Sequence, residues 1–162
     1  MRHVELEARV PAERAATVYE AMGHWERYPR LAPHVNATTV HAAPPAATCG
    51  SSWELHFRSG LLRWTERDDF RPQTLEIGFE QTDGDFDTFT GCWTMRQDDD
   101  DVVVRFEADF DFGIPSLEGI LDPIAERVIR ETVAWAVTGQ FPATRLADAD
   151  EFAPARPDTV AR

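Results

Sequence analysis

The chain has 162 residues, 43% of them hydrophobic, and a formal net charge of -13. That length suits one domain with one core, and the acidic balance disfavours nucleic acid and anionic membrane surfaces as partners. All 16 basic residues are arginine, which excludes Schiff-base, pyridoxal-phosphate and phosphate-loop lysines, and no apolar run reaches the ~20 residues that span a bilayer.

His3 to Val10 alternates apolar and polar residues with period two, the pattern of a half-buried strand rather than a signal-peptide core. A cytoplasmic chain is expected. Pro11 then suits a first helical turn, and Ala15, Ala16, Val18, Tyr19 and Met22 recur at helical spacing up to Gly23. A second short helix holds Trp25, Tyr28 and Leu31 before Pro33. From about Val35 to Phe112 the signals are strands and turns. Trp53, Leu55 and Phe57 share a face, Ser59-Gly60 reads as a hairpin turn, and Thr82-Asp83-Gly84-Asp85 reads as another. Phe89, Gly91, Trp93 and Met95 share a face, and the clearest strand runs through Val102, Val104, Phe106, Ala108, Phe110 and Phe112.

Asp98, Asp99, Asp100 and Asp101 read as an exposed hairpin tip, since no spaced ligand loop for calcium accompanies them. After Gly113-Ile114-Pro115, Ser116 can cap a long helix whose apolar stripe is Leu117, Ile120, Leu121, Ile124, Val128 and Ile129, continuing to Gly139. Residues 148–162 lack a core-forming pattern and read as a mobile tail beyond a domain of residues 1–147. Cys49 and Cys92 have no metal-ligand spacing, and neither a disulfide nor a metal site is expected. The order is therefore strand, two short helices, about six more strands and a long helix. A bent sheet covering a long helix leaves a concave, mostly apolar space of the kind that takes ligands.

Four runs carry a family resemblance: Trp25-Glu26-Arg27-Tyr28-Pro29-Arg30-Leu31, Thr65-Glu66-Arg67, Phe86 to Met95 with Trp93, and Phe110-Asp111-Phe112 through Leu121-Asp122-Pro123-Ile124. With the element order, they resemble the helix-grip proteins of the START and Bet v 1 superfamily. Within it they are similar to the bacterial polyketide cyclase and aromatase group and to coenzyme Q-binding members. The resemblance implies an α+β helix-grip fold: a bent antiparallel sheet of about seven strands around a long C-terminal helix, two short helices after the first strand, and an internal cavity. It also implies cofactor-free aldol cyclisation and dehydration of a poly-β-ketone, with an acyl carrier protein as a candidate partner and a monomer or homodimer as the assembly. The alternative is a non-catalytic carrier of a quinone, lipid or polyketide-like ligand; a third reading is a protein with a collapsed core.

Thr65-Glu66-Arg67 resembles a Ser-Glu-Arg run whose arginine lies inside the cavity, which makes Arg67 the candidate that polarises a carbonyl. The family's mouth tyrosine falls here on Val35, with His34 beside it as a candidate proton exchanger. Glu66 is a candidate base if buried beside Trp64 and a solvated strand residue otherwise. Trp25, Tyr28, Trp53, Trp64 and Trp93 are candidate flat walls for a planar ligand, and Thr65 a candidate hydrogen-bond donor to it. Asp68 and Asp69 read as the wet end of their strand. Two registers compete: the resemblance turns Thr65 and Arg67 inward, whereas a two-residue turn at Ser59-Gly60 turns Trp64 and Glu66 inward unless a bulge shifts the alternation.

Overall fold

The computed structural model describes residues 1–147, so the expected tail at 148–162 lies outside the described residues. The elements follow the expected order. Strand β1 (Arg2–Pro11) leads to helix α1 (Ala15–Met22), a single 3-10 turn (Trp25–Arg27) and a one-turn helix α2 (Tyr28–Leu31). Strands β2 (Val35–Ala42), β3 (Cys49–Phe57), β4 (Gly60–Arg71), β5 (Glu76–Gly84), β6 (Thr88–Asp98) and β7 (Asp101–Asp111) follow, then helix α3 (Glu118–Gln140) and a two-residue strand β8 (Arg145–Leu146).

All eight strands form one antiparallel sheet in the order β2-β3-β4-β5-β6-β7-β1-β8. The strand beyond the expected seven is β8, which pairs Leu146 with Ala8 on the far side of β1. Alternation along each strand sends one row of side chains inward, and α3 covers that concave face. Val4, Leu6, Ala8 and Val10 of β1 meet Val102, Val104, Phe106 and Phe110 of β7 in the core, together with Val133, Ala136 and Val137 of α3. This is the helix-grip architecture.

Three expectations shift in position. The hairpin between β3 and β4 turns at Arg58-Ser59 instead of Ser59-Gly60, pairing Phe57 with Gly60, Leu55 with Leu62 and Trp53 with Trp64. Each partner moves by two residues, so the inward set is unchanged. The next turn falls at residues 85–87, because β5 continues through Gly84, and Phe86 folds back into the core. The apolar stripe of α3 is buried only from its middle onward: Ala125, Val128 and Ile129 are covered, while Leu117 lies just before the helix at its surface and Ile120 is 55% exposed. The acidic run closes the β6–β7 hairpin, and Asp98 and Asp101 accept hydrogen bonds from Arg9 at 2.8 and 3.2 Å. Cys49 and Cys92 are free thiols.

Candidate functional site

Strand β4 settles the competition between the two registers. Leu62, Trp64, Glu66, Asp68 and Phe70 point to the concave side, and Arg63, Thr65, Arg67 and Asp69 to the other. A bulge does occur here, but it lies in β5: Thr65 pairs with Asp83 and Glu66 with Gln81, leaving Thr82 as the extra residue. The alternation of β4 therefore runs on unbroken. Gly84 permits the close approach that holds this arrangement, since it has φ +152° and a Cβ there would lie 2.6 Å from Trp64 Cα.

Arg67 consequently does not reach the cavity. Its side chain is 58% exposed on the convex face, with its guanidinium 3.6 Å from Glu80. Thr65 is also on that face, where its hydroxyl and that of Ser52 are 2.7 Å apart. The expectation that these two residues meet a ligand inside the sheet is corrected by the parity of one strand. His34 is not on the cavity wall either: its Nε2 is 2.7 Å from Glu131 Oε1 and its ring centroid is 4.8 Å from that of Trp135. It ties the start of β2 to α3.

The expected aromatic wall is assembled. Trp25, Tyr28, Trp53, Trp64 and Trp93 all line one cavity of about 50 Å³ between sheet and helix, closed on the helix side by Ile129, Thr132 and Val133. Trp53 and Trp64 stack face to face across the β3–β4 ladder, with planes 2° apart and centroids 5.9 Å apart. Trp25 packs edge-on against Tyr28 at 5.4 Å and Trp53 at 5.6 Å. Such edge-to-face contacts suit the ring quadrupoles. The Tyr28 hydroxyl is committed to the Met22 carbonyl at 2.8 Å, and the Thr132 hydroxyl donates to the Val128 carbonyl. The internal cavity is small because rings fill most of the space between sheet and helix; 50 Å³ holds roughly three or four waters.

Glu66 supplies the cavity's only carboxyl among the described lining residues. It is 5% exposed, and its Oε1 accepts the Trp64 indole N–H at 2.8 Å. Burial, contact with the Asp68 carboxyl and the charge on Asp68 push its pKa well above the ordinary carboxylate value; the Trp64 and Ser51 donors oppose that shift. Burying an unpaired carboxylate costs several kcal/mol, more than two neutral donors return, which favours the neutral acid.

Two further residues of this network escape a reading based on residue type. Asp68 is 4% exposed, not the wet end of the strand, and its Oδ2 accepts the Ser51 hydroxyl at 2.7 Å. Ser51 in turn accepts the Trp53 indole N–H at 3.0 Å. The signal that finds both is parity: Asp68 shares a face with Trp64 and Glu66, and Ser51 with Trp53.

A second, wider space of about 590 Å³ adjoins the first, bounded by α1, the 3-10 turn, the loop through Pro44 and Pro45, and the end of β4. Trp25 lines both spaces, and Asp68 lines the wider one. The Trp25 carbonyl is held by the Thr38 hydroxyl at 2.9 Å, but its buried indole N–H has no partner, whereas Trp53 and Trp64 are each pinned through theirs. Trp25 is a partition held at its backbone by a hydrogen bond and at its ring by aromatic packing alone.

A sheet wrapped on a long helix around an aromatic cavity is the helix-grip fold of START and Bet v 1 proteins. The chain belongs to the family described as polyketide cyclase / dehydrase and lipid transport, whose model matches residues 10–136. A comparison with curated proteins finds no match. The fold is similar to that of TTHA0849 from Thermus thermophilus, at 23% identity and TM-score 0.76 over 87% of this chain and 95% of that one. It is also similar to a START superfamily protein from Mycobacterium smegmatis, at 16% identity and TM-score 0.72, covering 86% and 97% of the two chains. The Zhui aromatase/cyclase from Streptomyces sp. R1128 matches at 19% identity and TM-score 0.67, covering 87% and 93%. No described helix is long and apolar enough to cross a membrane.

Proposed function

We propose that the protein is a cofactor-free aromatase/cyclase that takes a poly-β-ketone and promotes aldol closure and dehydration, with Glu66 as its general acid and base. One observation carries this reading: a buried carboxyl stands on the wall of an otherwise aromatic and aliphatic cavity. A carrier of an apolar ligand gains nothing from a costly buried acid. A cyclase needs a group that protonates a carbonyl or departing hydroxyl and then takes a proton back, and a carboxyl with a raised pKa is matched to that work near neutral pH.

The chemistry assigns each neighbour a part. As an enol carbon adds to a carbonyl and the C–C bond closes, Glu66 gives its proton to the carbonyl oxygen and takes back the one the enol releases; in dehydration it protonates the new hydroxyl, which leaves as water, and its carboxylate takes the neighbouring C–H proton. The stacked Trp53 and Trp64 rings offer a plane against which a flat ring forms, holding the chain in a near-attack geometry. A cavity of about 50 Å³ is too small for a polyketone chain, and Trp25, which lines both it and the 590 Å³ cleft, is the side chain whose displacement joins the two spaces for substrate entry.

The test is incubation with a synthetic poly-β-ketone followed by mass spectrometry. Loss of water from the ligand at substoichiometric protein supports the cyclase; recovery of the ligand unchanged, bound one to one, supports a carrier.

A further inference from the structure

Glu66 and Asp68 are two carboxyls on one face of β4, both about 95% buried. Between them they have two neutral donors: Trp64 N–H on Glu66 Oε1 and Ser51 O–H on Asp68 Oδ2. Asp68 Oδ1 is buried with no donor. Two adjacent carboxylates in such surroundings are unfavourable twice over, by desolvation and by mutual repulsion.

Among the described residues no neighbouring positive charge relieves them. The titratable groups facing the pair are Tyr28 from α2, whose pKa is raised by burial and by the Glu66 and Asp68 carboxyls, and Cys49 from β3, whose pKa is raised by burial and the Asp68 charge; neither supplies a positive charge. Around the adjoining cleft stand Glu20, Glu26, Asp69 and His24, and His24 is already engaged by Glu20 and Glu26 at 2.9 Å each. Arg63, Arg67 and Arg71, the cations of β4, lie on the opposite face.

We propose that Glu66 and Asp68 share a single proton, with Asp68 as the positioning residue that keeps it on Glu66 and returns it from the cleft side. One proton on Glu66 removes one of the two charges, and an O–H turned along the strand face toward Asp68, two residues on, supplies the donor that Asp68 Oδ1 lacks. Because Glu66 lines the inner cavity and Asp68 the wider cleft, the pair bridges the two spaces. Where a transfer to a molecule in the cavity leaves Glu66 without its proton and no C–H proton comes back, a proton from cleft water passes to Asp68 and on to Glu66, and the pair returns to its starting charge. The shared proton exists in the free protein, and only its catalytic use rests on the cyclase reading.

The experiment is a pH titration of the full chain, followed at the two carboxyl carbons by NMR and at the protonated-acid carbonyl stretch by infrared spectroscopy. The expected result is one protonated carboxyl at neutral pH, absent in Glu66→Gln, with inflections common to the Glu66 and Asp68 carbons. Asp68→Asn lowers the Glu66 midpoint by about one pH unit or more, the scale of a like charge in contact. Independent titration of the two carbons in the unmodified protein overturns the proposal even if Asp68→Asn fails to fold. So does absence of a protonated carboxyl at neutral pH. Either result leaves the cyclase reading to be judged by its own product assay.

Discussion

Arg67 stands opposite Glu80 in the β4–β5 ladder, its guanidinium 3.6 Å from the carboxylate and both side chains more than half exposed. The residue before it, Glu66, faces the cavity from the other side of the same strand. Adjacent residues of a strand occupy different environments, so the run Thr65-Glu66-Arg67 divides between solvent and site. An exposed pair of this kind contributes about 0–1 kcal/mol. Arg67→Ala therefore changes the unfolding free energy by less than about 1 kcal/mol in urea denaturation; a loss of several would show that Arg67 has a buried partner.

Glu66→Gln alters how stability depends on pH. Above the ordinary glutamate value of 4.5 the unfolded chain has lost this proton while the folded chain keeps it, so the folded state holds more protons and weakens as pH rises. The stabilising contribution is complete below 4.5 and is lost as pH climbs through the raised folded value. Glutamine keeps an acceptor for the Trp64 indole and has no proton to lose. Thermal melts from about pH 4 to about pH 9 are expected to fall less steeply for the variant. Parallel curves would mean that Glu66 is ionised in the folded protein.

Trp25→Ala removes the partition between the 50 and 590 Å³ spaces. It costs about 3–5 kcal/mol, the usual range for deleting a large buried aromatic ring. It is expected to increase binding of an apolar fluorescent dye, because the merged space admits a ligand without displacement of a ring. Dye binding equal to that of the parent would argue against Trp25 as the barrier.

Ser51→Ala leaves both the Trp53 N–H and Asp68 Oδ2 without their partner. Two buried polar groups losing one shared hydroxyl cost roughly 2–4 kcal/mol, measurable by chemical denaturation. A loss below about 0.5 kcal/mol would mean that water replaces the hydroxyl.

The fold was legible because each element carries its own period. Val102, Val104, Phe106, Ala108 and Phe110 alternate in the sequence and are all buried in β7. The inward face of β4 was legible too, since a hairpin turn displaced by one residue moves every cross-strand partner by two and preserves parity. The resemblance pointed Arg67 inward; strand counting did not. Asp68 was hidden by its own chemistry, because two successive aspartates look like solvent until the alternation is followed through Phe70. Cavity volume was not legible at all. The same five aromatic residues can line a large space or fill it, and the difference lies in ring orientation, which no sequence period encodes. His34 illustrates the same limit: its position after the short helices was readable, while its pairing with Glu131, far along the chain on α3, was not.

The central claim is that the acid on the inner face of β4, not the arginine beside it, performs the chemistry. The most direct measurement compares Glu66→Gln and Arg67→Ala in a reconstituted polyketide synthase, reading turnover and product pattern. The account predicts that Glu66→Gln loses roughly 100-fold or more of the turnover, the scale of a missing general acid and base, while Arg67→Ala retains the parent's rate and products. Retained activity in Glu66→Gln, or a changed product pattern in a folded Arg67→Ala, would contradict it.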